Sequence, residues 1–353
     1  MPDGDNFIED VEQEQNLAEL KRKYNLLARQ LYDVKHRRAD YIDAVTEAAT
    51  EAVGNIELAP VPVPTSQISN GVPYQGNPTP EVAVALLSDM QTGKVTPDYN
   101  SDVARERVMK YAEKIVRITN IQRGDHPVDH CVVPMLGDMV EGVDIFPGQQ
   151  WLLDSTLYRQ IFESTPSILV DFLRYLLANF ETVTVEAVQG NHGRIGRKGM
   201  FGPEDNADRM VYKLVSIMMR DEPRLTFNMA DPTGERAWYK IMDIGNYSAM
   251  LIHGDQIRGS MGYPWYGLGK KVHSWASGGI PETFQDIMLG HYHQLALVPL
   301  NKRVAWANGT TESTNTFASE MLAAQSDPSQ WLLFVEPDKG VVTASYAVRL
   351  LDD

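Results

Sequence analysis

Val82-Ala83-Val84-Ala85-Leu86-Leu87-Ser88-Asp89-Met90-Gln91 is an unbroken apolar run that stops abruptly on polar side chains. A short apolar run bounded in this way fits a strand buried on both faces, as inside a parallel sheet. The same grammar recurs along the chain. The run Cys131 to Leu136 ends in Gly137-Asp138, and Val183 to Val188 leads into Gly190-Asn191-His192. Tyr247 to Ile252 ends in His253-Gly254-Asp255, and Asp286 to Leu289 in Gly290-His291-Tyr292-His293. Helical spacing separates these runs, over Asp102 to Ile121, Trp151 to Phe180 with an interruption at Pro166, and Asn206 to Arg220. Alternation of strand and helix predicts an α/β sheet architecture. Val304 to Ala307, Trp331 to Val335 and Val341 to Leu350 add strands towards the C-terminal end, where helix signals fade.

In open α/β sheets, ligands bind beyond the carboxyl ends of strands, so five such ends can converge on one site. The residues waiting there are Asp89, Gln91, Asp138, Asn191, His253, His291 and His293. Oxygen donors mixed with imidazoles suit Mn, Fe or Zn better than Mg or Ca. Each residue alone has a plainer reading. An Asp at a strand end is usually a turn or cap residue, and His36, His126, His130 and His273 read as packing or surface side chains. Independent turns do not account for the whole set, in this order and all at strand ends.

That order resembles the calcineurin-like metallophosphoesterase superfamily, whose pattern runs D-x-H, G-D-x-x-D, G-N-H-D/E, H and G-H-x-H. The corresponding residues are Asp89-Met90-Gln91, Gly137-Asp138-Met139-Val140-Glu141, Gly190-Asn191-His192-Gly193, His253 and Gly290-His291-Tyr292-His293, so the resemblance spans about Val82 to His293. It implies a four-layer αββα sandwich and a phosphoester hydrolase with two divalent transition-metal ions, Mn first and Fe or Zn as alternatives. By the same resemblance Asp138 bridges the ions and belongs to the catalytic machinery. Asp89, Gln91 and His293 complete the first ion's shell; Asn191, His253 and His291 complete the second. His192 is the side chain that contacts phosphate and helps the leaving oxygen. Two such ions would polarise the phosphoryl group and hold hydroxide in line for attack. Two departures stand out. Gln91 replaces the usual His, as in a branch resembling the ADP-ribose and CDP-alcohol pyrophosphatases. Gly193 replaces the usual acid, so another carboxylate must orient His192.

The substrate signal lies in two acid-free segments that leave ligand strands. Gln256 to Pro281 holds Arg258, Lys270 and Lys271 among Tyr263, Trp265, Tyr266 and Trp275, in a chain with 47 Asp and Glu. His192 to Pro203 holds Arg194, Arg197 and Lys198. Basic side chains bind phosphate and interleaved aromatics offer stacking faces, which points to DNA, RNA or a nucleotide. The bland alternative is a Gly-rich loop whose aromatics pack locally. Arg194, Arg197, Lys198, Arg258 and Lys270 are therefore the candidate substrate contacts. The run from Asn308-Gly309-Thr310 to Ser329-Gln330-Trp331 resembles the tail of phosphoesterases often carried by bacteriophages. Other readings are a phosphomonoesterase acting on protein or small esters, and a non-catalytic interaction module.

Composition divides the chain into three sections: an N-terminal helix over 1–53, a Pro-rich linker over 54–80 and the metallophosphoesterase domain over 81–353. The first has neither Pro nor Gly from Glu9 to Val53, and Leu17, Leu20, Tyr24, Leu27, Leu31 and Val34 recur at spacings of three and four. This is a coiled-coil seam that supports homo-oligomerisation, or the apolar face of a helix packed on its own domain. A formal charge of −15 argues against a protein that coats nucleic acid through its overall field. No apolar stretch has the length of a membrane span. The absence of a secretion signal and the single Cys131 fit a cytoplasmic setting, the host's cytoplasm if the chain is phage-encoded.

Overall fold

The computed structural model describes residues 20–27, 43–54, 56–64, 76–196, 198–231, 236–259, 264–313 and 327–351. The chain divides into two compact units, Met1–Glu51 and Ala52–Asp353. In the first, residues 20–27 are helical, as are those from 43 onward. Leu20, Tyr24 and Leu27 of the expected seam are exposed, while Leu17, Leu31 and Val34 lie outside the described residues.

In the second unit, residues 56–64 form neither helix nor strand. They are nevertheless tied down: Arg174 Nη1 donates to Ala59 O at 2.8 Å and Arg224 Nη2 to Val61 O at 3.3 Å. This part of the expected linker is thus anchored to the domain it precedes.

Two sheets make up the rest. The first contains β1 (Val82–Ala85), β2 (His130–Met135), β3 (Thr182–Ala187), β4 (Leu225–Met229), β10 (Ser329–Glu336) and β11 (Val341–Arg349). Its order is β11-β10-β1-β2-β3-β4, with β1 to β4 parallel and β10 and β11 antiparallel. The second contains β5 (Tyr239–Ile244), β6 (Tyr247–Ile252), β7 (Asp286–Leu289), β8 (Ala296–Leu300) and β9 (Arg303–Ala307), in the order β5-β6-β7-β9-β8. Within it β6, β7 and β9 are parallel.

The two sheets share one core. Val82, Val84, Leu86, Leu333 and Val335 meet Met242, Tyr247, Ala249, Leu251, Met288 and Trp306. The helices Ser101–Gln122, Thr165–Leu177 and Ala207–Met218 contact β11, β3 and β4 on the far side of the first sheet. Leu268, Val272 and Trp275 cover the far side of the second, against Met250, Ile252, Ile287 and Leu289. The layers are therefore helix, sheet, sheet, helix, as expected.

Two local readings need correction. The helix expected from Trp151 starts at Leu157, after a separate 3₁₀ turn at Gln149–Leu152. The interruption expected at Pro166 takes the form of a π-turn at Gln160–Ser164, after which the α-helix restarts at Thr165 with Pro166 in its first turn, where a missing N–H costs least. The acid-free stretch after His253 is not simply a loop: Trp265–Ser274 is helical, and Trp275 packs on Trp238 with ring centroids 5.3 Å apart. Strands β4, β5 and β8, unmarked by the sequence patterns, are all edge strands with partly exposed residues.

Clearance at the strand ends depends on glycine. A Cβ on Gly290 would sit 2.5 Å from Asp89 Oδ2, and one on Gly190 would overlap Asp138 Oδ1. Gly290→Ala should therefore lower stability by about 1–3 kcal/mol, read as a lower urea midpoint. An unchanged midpoint would show that these tips are not so tightly apposed.

Candidate metal centre

All seven expected ligand residues lie at or just beyond strand ends, and six strand ends contribute to the site. Asp89 and Gln91 follow β1, Asp138 follows β2, Asn191 and His192 follow β3, His253 follows β6, and His291 and His293 follow β7. Glu312, absent from the ligand set expected from sequence, follows β9. Among the described residues six non-glycines have positive φ, and five are Asp89, Gln91, Asp138, His291 and His293. A left-handed backbone at such residues costs of order 1–3 kcal/mol each, so it persists only where the surroundings impose it.

The imposing contacts are visible. Asp208 is buried at the start of the Ala207–Met218 helix and accepts hydrogen bonds from four backbone N–H groups: Asp138 (2.9 Å), Met139 (3.0 Å), Val140 (3.3 Å) and Gly190 (2.8 Å). One carboxylate thus binds the tips of β2 and β3 together. His291 N donates to both oxygens of Asp89, at 3.1 and 3.0 Å, which joins β1 to β7 across the two sheets. Burial and the charge of Asp138 push the Asp208 carboxyl up to about 6.

At the centre, His253 Nε2 lies 3.0 Å from Asp138 Oδ2, 3.0 Å from Asn191 Oδ1 and 3.2 Å from His291 Nδ1. Asp138, His253 and His291 each offer a donor atom within 4.8 Å of the others. His253 Nδ1 sits 2.8 Å from Leu136 O, which leaves Nε2 as its inward atom. A carboxylate, an amide oxygen and two imidazoles around one point are a fitting donor set for a divalent transition ion.

The other half of the site is built differently. Asp89 Oδ1 and His293 Nε2 are 3.2 Å apart. The Gln91 amide turns its nitrogen inward, with Nε2 3.3 Å from His192 Nε2 and 3.4 Å from His293 Nε2. Its oxygen accepts from Lys94 Nζ at 2.9 Å. Lys94 in turn is ion-paired with Glu312, whose Oε1 lies 2.8 Å from His293 Nδ1.

The carboxylate that orients His192 is Glu141. Its Oε2 is 3.1 Å and its backbone oxygen 2.9 Å from His192 Nδ1, so Nε2 faces the site. Gly193 has no room for the usual acid, since a Cβ there would stand 2.5 Å from Asn206 Oδ1.

No family model matches the chain, and no curated protein matches it. Solved structures to which it is similar include an archaeal phosphodiesterase at 9% identity, covering 75% of this chain and 99% of the other at a TM-score of 0.34. The E. coli phosphoesterase YfcE matches at 12% identity over 76% of this chain and 100% of its own, at 0.31. Zinc-complexed Vps29 of Entamoeba histolytica matches at 13% identity over 76% and 99%, at 0.32. These likenesses are distant, and this chain's own residues carry the functional reading.

The basic candidates scatter. Arg194 stays beside the centre, its Nε donating to Asn191 O at 2.9 Å. Lys198 is exposed and pairs with Asp255 at 3.5 Å. Arg258 is exposed, and Lys270 lies on the exposed side of the Trp265–Ser274 helix. Arg197 lies outside the described residues.

The histidines differ in their hold on protons. Against the burial that disfavours it, the Asp138 carboxylate raises His253 to about 10. Burial and the charge on His253 lower His291 to about 4. His253 must lose its proton at Nε2 to ligate, so metal uptake should release a proton and tighten as pH rises. The expected gain between pH 6 and 8 is up to about tenfold per pH unit for each proton displaced. Titration with Mn at the two pH values reads this directly; affinity that is flat or falls with pH would contradict it.

Proposed function

We propose that this chain is a metal-dependent phosphoester hydrolase that cleaves phosphodiesters of nucleic acid or nucleotides. The observation that carries the reading is the cluster around His253 Nε2, with Asp138 and Asn191 oxygens at 3.0 Å and His291 Nδ1 at 3.2 Å, next to a histidine outside the cluster. Asp138, Asn191, His253 and His291 would hold a divalent ion. When bound, the ion supplies Lewis-acid polarisation of a phosphoryl oxygen.

The remaining steps belong to the chain. His192, fixed through Nδ1 by Glu141, turns Nε2 towards the place where a phosphoryl or leaving oxygen would lie. Held in this way, His192 would be the group at the site that passes a proton to the leaving oxygen. Arg194 brings a fixed positive charge beside Asn191, suited to the anionic group. Trp151, 87% exposed, and the exposed Tyr158 lie on either side of Leu153, which bridges Lys94, and offer aromatic faces on that segment. Their position supports a substrate with bases. The exposed Leu20, Tyr24 and Leu27 of the N-terminal helix support self-association through that segment.

A substrate panel with Mn tests the reading. Bis(p-nitrophenyl) phosphate and single-stranded DNA should be cleaved, and Asp138→Asn should reduce turnover at least about a hundredfold, as expected when a metal's ligand is lost. Phosphate release from a monoester, with both diesters left intact, would reverse the substrate class. No turnover of any ester with bound metal would remove the hydrolase reading.

A further inference from the structure

We propose that Lys94 takes the place of the first metal ion, so that the chain holds one tightly bound ion, on Asp138, Asn191, His253 and His291. The inference rests on reading the cluster as a metal centre, but not on any particular substrate.

The amide of Gln91 can ligate a cation through its oxygen, whereas its neutral NH₂ is a donor only. Here the oxygen is already engaged by the Lys94 ammonium at 2.9 Å. Rotating the amide would set NH₂ against an ammonium that has three donors and no acceptor, so Lys94 fixes which atom faces the site. The atom that reaches the Asp89 and His293 side is nitrogen.

Lys94 is held there. It is 7% exposed, its backbone N donates to Gln91 O at 3.1 Å, and it pairs across to Leu153. Gly93 between them has φ of +105° and faces the Gln160 side chain so closely that a Cβ would stand 2.6 Å from it. The tight turn from Gln91 to Lys94 therefore folds the ammonium back onto the amide. Glu312 completes the arrangement, paired with Lys94 on one side and 2.8 Å from His293 Nδ1 on the other.

Electrostatics points the same way. Glu312 is ion-paired with Lys94, so a fixed ammonium already sits in this half. A divalent ion placed beside a buried ammonium is repelled, and the repulsion grows as the local dielectric falls. In the other half, the atom facing Asp138 Oδ2 and Asn191 Oδ1 is an imidazole nitrogen of His253, which can itself ligate an ion. Lys94 acts here as a positioning residue: it selects the atom that Gln91 presents and thereby the number of ions.

The test is stoichiometry with a spectroscopic check. Full-length protein is loaded with Mn, and bound metal per chain is measured by calorimetric titration and elemental analysis. Electron paramagnetic resonance then distinguishes isolated Mn from an exchange-coupled pair. Wild type should bind one tight ion with an isolated signal. Lys94→Met combined with Glu312→Gln, which removes both charges of the buried pair, should raise the count from one to two and produce a coupled signal. If that double variant does not fold, Lys94→Met alone receives the same measurement. Two coupled ions in wild type, or a count of one in the folded variants, would overturn the role of Lys94 while leaving the hydrolase proposal standing. A count of zero in wild type would instead remove the metal centre on which both depend.

Discussion

The site depends on one buried carboxylate holding another in place. Asp208 gathers the backbone N–H groups of Asp138, Met139, Val140 and Gly190, and so pins the tips of two parallel strands at the spot where Asp138 must project. A carboxylate that accepts several backbone hydrogen bonds costs far less to bury than a bare one. Asp138 has different partners: His192 N donates to its Oδ1 at 2.7 Å, and His253 Nε2 stands 3.0 Å from Oδ2. One acid is thus structural and the other faces the chemistry. Burial, together with the nearness of the Asp138 charge, pushes the Asp208 carboxyl up. The Asp138 carboxyl is held far below its ordinary range by His253 and His192, although burial opposes this.

From that constraint the strained backbone follows. Side chains leaving several strands can meet only if each chain turns sharply as its strand ends. Left-handed residues at Asp89, Gln91, Asp138, His291 and His293 provide those turns. Glycines beside them provide clearance, as at Gly190 and Gly290. The two sheets supply a rigid platform, because their shared core runs up to the strands whose ends form the site. Electrostatic asymmetry is the result. One half carries its own cation in Lys94, and the other has a carboxylate, an amide oxygen and two imidazoles converging.

Much of this is legible in the sequence, for a definite reason. Buried parallel strands read as apolar runs, and the residues just past each run are forced to the same end of the sheet. Asp89, Asp138, Asn191, His253, His291 and His293 can therefore be placed without coordinates, whereas the layer order comes from the family resemblance and not from the runs. Glu312 obeys the same rule, in the run Val304 to Ala307 followed by Asn308-Gly309-Thr310-Thr311-Glu312, and is recoverable from it. Lys94 is not. Its role depends on how a four-residue turn folds back, which no periodicity encodes. Asp208 is hidden inside a helix pattern, where an acid in the first turn has an ordinary explanation. The edge strands escape because half-exposed residues break the apolar signal. The helix after His253 reads as a loop because glycines at 267 and 269 dilute its spacing.

Tips from both sheets meeting around Asp138 to hold a divalent cation are the feature on which the functional reading stands. Equilibrium unfolding with and without Mn tests it most directly, because an ion that binds only the folded chain adds stability by mass action. At a free concentration about a hundredfold above the dissociation constant, the gain is about 2.7 kcal/mol. A saturable gain of that order is predicted in wild type, together with its loss in His253→Ala, which removes the central imidazole from the second sheet. Equal denaturation midpoints with and without Mn, or a gain that survives the loss of His253, would contradict it.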